Sequence, residues 1–239
     1  MANKGKYYES QFEEATIELL REAHWQYTLG DDIHRKYTDP LIEEDLRNFL
    51  AVQYKDKNLT TSEMDGIVAN LRNTGGQNDY YALRNAFLLY RDGYDFAYSD
   101  SRDNPFRMEY IDFEHPDHNI FRCVNQFVMG QGRENRRPDI LLFINGIPVC
   151  IIELKNPTKQ NATIRDAHTQ ICSRYMRDIP ALLKYCALAV ISDGAKNALG
   201  TTYTPFEFFY EWKKIENEDK AGKGLDTLRT LIRGALSPE

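Results

Sequence analysis

The chain has 239 residues, 42% of them hydrophobic and 28% charged, with a formal net charge of −6. That length allows one large domain or two small ones with a real core, and the composition excludes a disordered chain. Four dispersed cysteines with no Cys-x-x-Cys pair argue against a disulfide or thiolate-metal framework and read as reduced core residues.

The longest apolar stretch, 140–152, is cut by Asn145-Gly146 and is too short for the ~20 residues a membrane helix needs. The N-terminus carries no apolar leader. The expectation is a cytoplasmic protein with no membrane partner. The total charge also argues against nucleic acid, but only if it is evenly spread. It is not: residues 1–120 hold 13 Lys/Arg against 23 Asp/Glu, residues 121–185 hold 10 against 5, and residues 186–239 hold 7 against 8. A basic segment inside an acidic chain is a local footprint of the kind a polyanion meets.

In chain order, residues 9–28 read as a helix, with Phe12, Ala15, Thr16, Leu19, Leu20 and Ala23 forming one apolar stripe. Residues 30–105 alternate helical patches (43–54, 62–71, 78–90) with turn residues, as expected of a mainly helical insertion. From 109 the pattern turns to strands, at 110–113, 121–129, 138–144 and 147–154. The last two are joined by Asn145-Gly146, a strong hairpin signal. Residues 163–175 read as a helix. Residues 186–192 read as a buried strand, 205–212 as an aromatic strand, and 225–236 as an amphipathic helix. The order points to α/β or α+β, with strands flanked by helices.

The chemistry-bearing constellation is Pro138-Asp139 followed by Glu153-Leu154-Lys155. Asp139 opens one strand of the hairpin, and the triplet closes the other. Two carboxylates suit a hard cation such as Mg²⁺, and a lysine beside them can position water or stabilise charge on a phosphate. Glu153 and Lys155, two apart on a strand, share a face. Decoys exist at Pro116-Asp117, Glu211-x-Lys213 and Glu218-x-Lys220, none with a partner strand. The competing reading is an edge hairpin with solvated charged ends.

Register discriminates between the two. A regular two-residue loop pairs Ile144 with Ile147 and hence Asp139 with Ile152, which puts Asp139 and Glu153 on opposite faces. One bulge or a three-residue loop restores a common face. Pro148 cannot donate a ladder bond and favours such an irregularity. The expectation is therefore a bulged or bent hairpin.

Downstream, Gln170 and Arg174 are four apart on one helix face, and Tyr175 lies ~140° beyond Gln170 at 3.6 residues per turn. Upstream, Glu9 and Glu13 are four apart on the first helix, and one of them is the candidate third acid. His115-Pro-Asp-His118 has a His-x-x-His spacing, but with no cysteine or third ligand evident nearby it reads as a loop rather than a zinc site. No phosphate-binding loop or dinucleotide fingerprint is present, so ATP binding by the usual devices is not expected.

Residues 111–212 resemble the N-terminal nuclease domain of the type I restriction enzyme R (motor) subunit. The resemblance rests on 111–119 (IDFEHPDHN), Val124-Asn-Gln-Phe127 and above all RRPDILLFINGIPVCIIELKNP at 136–157. The helix with Gln170, Arg174 and Tyr175, then Lys184-Tyr185 and 190–194 (VISDG), follow in order, and Glu9-x-x-Phe12-Glu13 fits the opening.

The resemblance implies a restriction-endonuclease-like α/β fold of the PD-(D/E)xK superfamily, a central mixed sheet flanked by helices with a mainly helical N-terminal insertion. Residues 1–30 would supply the first helix, 31–108 the insertion and 109–239 the nuclease core. It also implies Mg²⁺-dependent endonucleolytic cleavage of double-stranded DNA. Asp139 and Glu153 would be metal ligands, joined by Glu13 or, as its alternative, Glu9. Lys155 would be the catalytic lysine, with Gln170 and Tyr175 as the Gln/Tyr helix motif and Arg174 supporting DNA. Methylase and specificity subunits would be partners, and ATP would act only through helicase-like motor domains outside these 239 residues, so the chain reads as a piece of a larger subunit. Two other readings stay open: a non-catalytic domain that docks DNA or a partner subunit, and a stand-alone nuclease.

Overall fold

A computed structural model describes residues 2–130, 135–155, 163–215, 222 and 224–238, with side chains from Ser10 onward. Helix α1 (Ala2–Glu22) leads to strand β1 (Gln26–Leu29). The predicted helix thus stops earlier than position 28. His24 adopts a left-handed φ of 68°, which ends the helix, and the β-forming Tyr27-Thr28 continue as strand.

Helices α2 (Glu43–Gln53), α3 (Thr61–Asn73) and α4 (Asp79–Asp92) follow as expected, and then a small hairpin of β2 (Tyr94–Phe96) and β3 (Phe106–Met108). Helix α3 starts on a capping box, with Thr60 and Glu63 satisfying each other's backbone N–H groups. Residues 110–113 are not the predicted strand. Tyr110 and Ile111 are buried, but the chain there turns through side-chain bonds of Asp112 and Asn119.

The main sheet continues with β4 (Phe121–Asn125), β5 (Ile140–Ile144), β6 (Ile147–Leu154), β7 (Leu188–Ser192) and β8 (Asn197–Gly200). Its order is β1-β4-β5-β6-β7-β8. The β1–β4 and β6–β7 pairs are parallel and the others antiparallel. Between β6 and β7 the chain crosses over through α5 (Ile164–Thr169), a π-helical turn (Gln170–Tyr175), α6 (Met176–Asp178) and α7 (Pro180–Leu183). The aromatic 205–212 stretch makes only a 3₁₀ turn and one bridge from Tyr210 to Leu199; the edge strand is 197–200 instead, directly after the Asp193-Gly194 turn. Helix α8 (Leu225–Ala235) closes the described chain.

Alternation along β5 and β6 sorts their side chains onto two faces. Leu141, Phe143 and Ile151 pack with Ile164, Ala167, Ile171 and Tyr175 of the crossover. Ile140, Leu142, Cys150 and Ile152 pack with Phe12, Leu19 and Leu20 of α1 and Leu228 and Leu231 of α8. Being covered on both faces explains why these strands read as continuous apolar runs. A third cluster joins α2, α3 and α4 to β2 and β3, and reaches the sheet through Ile147 and Tyr185. Arg122 of β4 also ties α2 to the sheet through a two-pronged ion pair with the buried Asp45, with both N···O distances at 2.7 Å. All four cysteines are free thiols, and three are buried. Among the described residues no helix is long and apolar enough to cross a membrane.

The β5–β6 turn has φ of 50° at Asn145 and 75° at Gly146, the two positive values that a type I′ hairpin requires. Gly146 also presses against α2: its carbonyl accepts Ile42 N–H at 2.9 Å, and a Cβ on it would lie 2.1 Å from the Ile42 carbonyl oxygen. Gly146→Ala is therefore expected to lower the urea-unfolding free energy by ~2 kcal/mol or more. An unchanged midpoint would contradict this tight approach.

Candidate active site

The β5–β6 ladder pairs Ile144 with Ile147 and Phe143 with Pro148, then shifts, so that Leu142 pairs with Cys150 and Ile140 with Ile152. Val149 is the extra residue of a β-bulge, next to the proline that cannot donate. The two-residue turn and the expected irregularity thus coexist. Continuing the shifted register by one residue sets Asp139 opposite Glu153, on the face shared with Leu141 and Ile151.

Asp139, half-buried, accepts the backbone N–H of Leu154 on Oδ2 at 2.7 Å, which ties its carboxylate to the far strand. Glu153 is 1% exposed. Lys155 Nζ donates to Glu153 Oε1 and to Gln170 Oε1, each at 2.8 Å. Gln170 Nε2 donates to the Tyr175 hydroxyl at 2.7 Å, and that hydroxyl lies 3.2 Å from Glu153 Oε2. The four side chains form a closed ring of hydrogen bonds, with Asp139 beside it.

The crossover helix makes the ring possible. Thr163 and Asp166 cap its start, with Asp166 Oδ2 accepting the Thr163 N–H and hydroxyl at 2.8 Å. From Gln170 the helix widens into the π turn, where bonding runs i to i+5. Residues five apart then come to one face, and the ~140° offset expected of an α-helix does not apply. Tyr175 is buried against the sheet, and Met176 packs partly against the same cluster. Arg174 stands outside the ring, exposed on the wall of a cleft that Arg136, Arg137, Arg177, Gln170 and Tyr175 also line. The Arg136-Arg137 pair just before Pro138, inside the basic 121–185 segment, was its sequence signal.

Glu13 reaches the same end of the sheet from the other face. Its Oε1 accepts Asn125 Nδ2 at 2.8 Å and Gln126 Nε2 at 3.0 Å. It does not close a three-ligand group with Asp139 and Glu153. Among the described residues, the group with three metal-type donors within 4.8 Å is Asp112, His115 and His118. The Glu9 side chain and the decoy Glu218-x-Lys220 lie outside the described residues. Glu211-x-Lys213 is an exposed ion pair, and Pro116-Asp117 sits in a 3₁₀ turn.

Burial, and then the nearby Asp139 carboxylate, push the Glu153 pKa up to about 8 against the opposing pull of Lys155 and Tyr175. Burial, followed by Glu153, also raises the Tyr175 hydroxyl, which stays a neutral donor. Two carboxylates thus converge at a buried site beside a single lysine, which pulls the Glu153 pKa down against burial and Asp139. Such a donor set favours a cation.

A six-stranded mixed sheet with helices on both faces, bearing an acid, an acid and a lysine on one bulged hairpin, is a restriction-endonuclease-like domain. A sequence profile described as type I restriction enzyme R protein N terminus matches residues 6–208, and the chain belongs to that family. It is 29% identical over 243 residues to the type I restriction enzyme HindI endonuclease subunit of Haemophilus influenzae, covering 97% of this chain and 23% of that protein. It is also 29% identical over 215 residues to the putative type I restriction enzyme MjaIXP endonuclease subunit of Methanocaldococcus jannaschii, covering 87% and 20%. The chain thus spans about a quarter or less of these relatives.

The raised pKa gives a signed expectation for the cation-free chain. A folded-state value above the unfolded one (~4.3) means that the group's contribution is fully present below ~4.3 and is lost as pH rises through about 8. Glu153→Gln, which cannot ionise, is expected to melt higher than wild type at pH 9, with the gap closing towards pH 5. Equal shifts at both pH values would contradict the buried, raised carboxyl.

Proposed function

We propose that this chain is the nuclease module of a type I restriction enzyme R subunit, and that it hydrolyses phosphodiester bonds of double-stranded DNA with Mg²⁺. One observation carries the reading: the bulge and the π turn bring Asp139, Glu153, Lys155, Gln170 and Tyr175 together at one end of the central strands, beside an arginine-lined cleft. Asp139 and Glu153 fit Mg²⁺ as hard oxygen donors, and a cation between them would favour the ionised form of Glu153 against burial first and the nearby Asp139 carboxylate second. Bound there, the ion would polarise the scissile phosphate and make a bound water more acidic.

The chain's own residues supply the rest. Gln170 and Glu153 hold the Lys155 ammonium by two bonds. Its third proton remains for the attacking water or for charge developing on the phosphate. Tyr175, kept protonated, fixes the second oxygen of Glu153. Arg137 and Arg174 suit the DNA backbone rather than base edges, so they position the duplex without reading it. Sequence choice and ATP-driven motion would belong to the methylase, specificity and motor parts of such an enzyme.

In the assembled enzyme, Asp139→Ala or Lys155→Ala is expected to cut plasmid DNA about 100-fold or more slowly while ATP hydrolysis continues. Undiminished cutting would contradict the nuclease reading. Loss of assembly on neutralising the acidic N-terminal surface, with cutting intact in the site variants, would favour a docking module. Replacing both Arg137 and Arg174 with Ala should flatten the dependence of log binding constant on log salt by ~1.8, the release expected for two phosphate contacts. An unchanged slope would place the DNA elsewhere.

A further inference from the structure

At the end of the hairpin away from Asp139 and Glu153, the loop before β4 brings together three side chains that the nuclease reading does not use. Asp112 is 4% exposed. Its Oδ1 accepts the backbone N–H groups of Glu114 at 3.0 Å and His115 at 2.9 Å, and its Oδ2 accepts Gln53 Nε2 of α2 at 3.0 Å. Both imidazoles turn Nδ1 to that same Oδ2, His118 at 3.1 Å and His115 at 3.5 Å. Their rings stack with centroids 4.9 Å apart and planes 17° apart.

We propose that Asp112, His115 and His118 form a binding site for a divalent transition ion, zinc foremost, separate from the Asp139–Glu153 pair.

The donor spacing supports it. Bonds of ~2.0–2.1 Å in a tetrahedron set ligand atoms ~3.3–3.4 Å apart, and the two histidine–carboxylate distances bracket that edge. The chemistry agrees. Asp112 Oδ2 already accepts the Gln53 amide, and both ring nitrogens face that one oxygen, more groups than its lone pairs can serve. One ion bonded to both nitrogens and the carboxylate removes that conflict.

An outer shell is already in place. Gln53 and two backbone amides orient Asp112, as the partners of metal-bound carboxylates do. The rings are 60% and 50% exposed, so a fourth position faces water. The sequence placed Asp112 on a candidate strand at 110–113, apart from the His115-Pro-Asp-His118 loop, and the turn that replaces that strand brings the three together. A bound ion would brace a seam. Gln53 belongs to α2, and Asn119 of the same loop bonds the hairpin-turn Asn145 at 2.8 Å.

The test is a cobalt titration of the chelator-stripped 239-residue chain, followed in the visible band of low-coordinate Co²⁺ and competed with Zn²⁺. The expected result is one ion per chain at micromolar concentration or below, retained in Asp139→Ala. Affinity should fall ~100-fold or more in His115→Ala and in the milder His118→Asn, and ~10-fold in Gln53→Ala. Zn²⁺ should raise the melting temperature of wild type but not of His118→Asn. No band, a band unchanged in the histidine variants, or binding only at millimolar concentration would overturn the proposal. Loss of the band in Asp139→Ala, with His118→Asn unaffected, would assign the ion to the nuclease pair instead and overturn it equally.

Discussion

Side-chain parity in a β-hairpin is unforgiving: one residue more or less moves every later side chain to the other face. In this chain Val149 is the extra residue, and the candidate active site depends on it. Without the bulge, Asp139 would lie opposite Ile152 and an ionisable Glu153 would point towards α1 and α8. With it, the apolar residues still fill both layers and the two acids meet on the face that the crossover helix covers. The Asn145-Gly146 turn fixes one end of the register, and the Asp139 bond to Leu154 N–H fixes the other.

The crossover helix departs from regularity in the same way. A plain α-helix would leave Gln170 and Tyr175 on different faces. The π turn aligns them, so that Gln170 holds Lys155 while Tyr175 holds Glu153. Two local irregularities, one per element, thus converge on one cluster. Irregular turns of this kind weaken the helix or ladder that carries them and persist where the surrounding packing over-determines them. Here the packing is the Leu141–Phe143–Ile151 face closing on Ile164, Ala167 and Ile171.

Much of this was legible in the sequence, for identifiable reasons. Continuous apolar runs bounded by turn residues marked β5, β6 and β7, and the proline after the turn pointed to the bulge. The pairing of Asp139 with the Glu153–Lys155 triplet followed from their places at the ends of one hairpin. Other features were not legible. Strand β1 is too short to separate from the helix before it without the left-handed His24. The π turn leaves no periodic trace in six residues. The aromatic 205–212 run imitates a strand because Phe206 and Phe209 pack partly against the crossover core, although only Tyr210 bridges to the sheet. The arginine cleft showed in the sequence only as a basic 121–185 segment, because which of its cations share one wall depends on the fold.

On the proposed reading, the bulged hairpin presents Asp139 and Glu153 as one cation site beside Lys155. Diffraction at the manganese edge, from crystals of the chain grown with Mn²⁺, tests it most directly. An anomalous peak is expected within about 2.5 Å of carboxylate oxygens from both Asp139 and Glu153, with Val149 bulged out of the ladder. A regular ladder with the two acids on opposite faces, or a fully occupied manganese elsewhere and none between them, would contradict it.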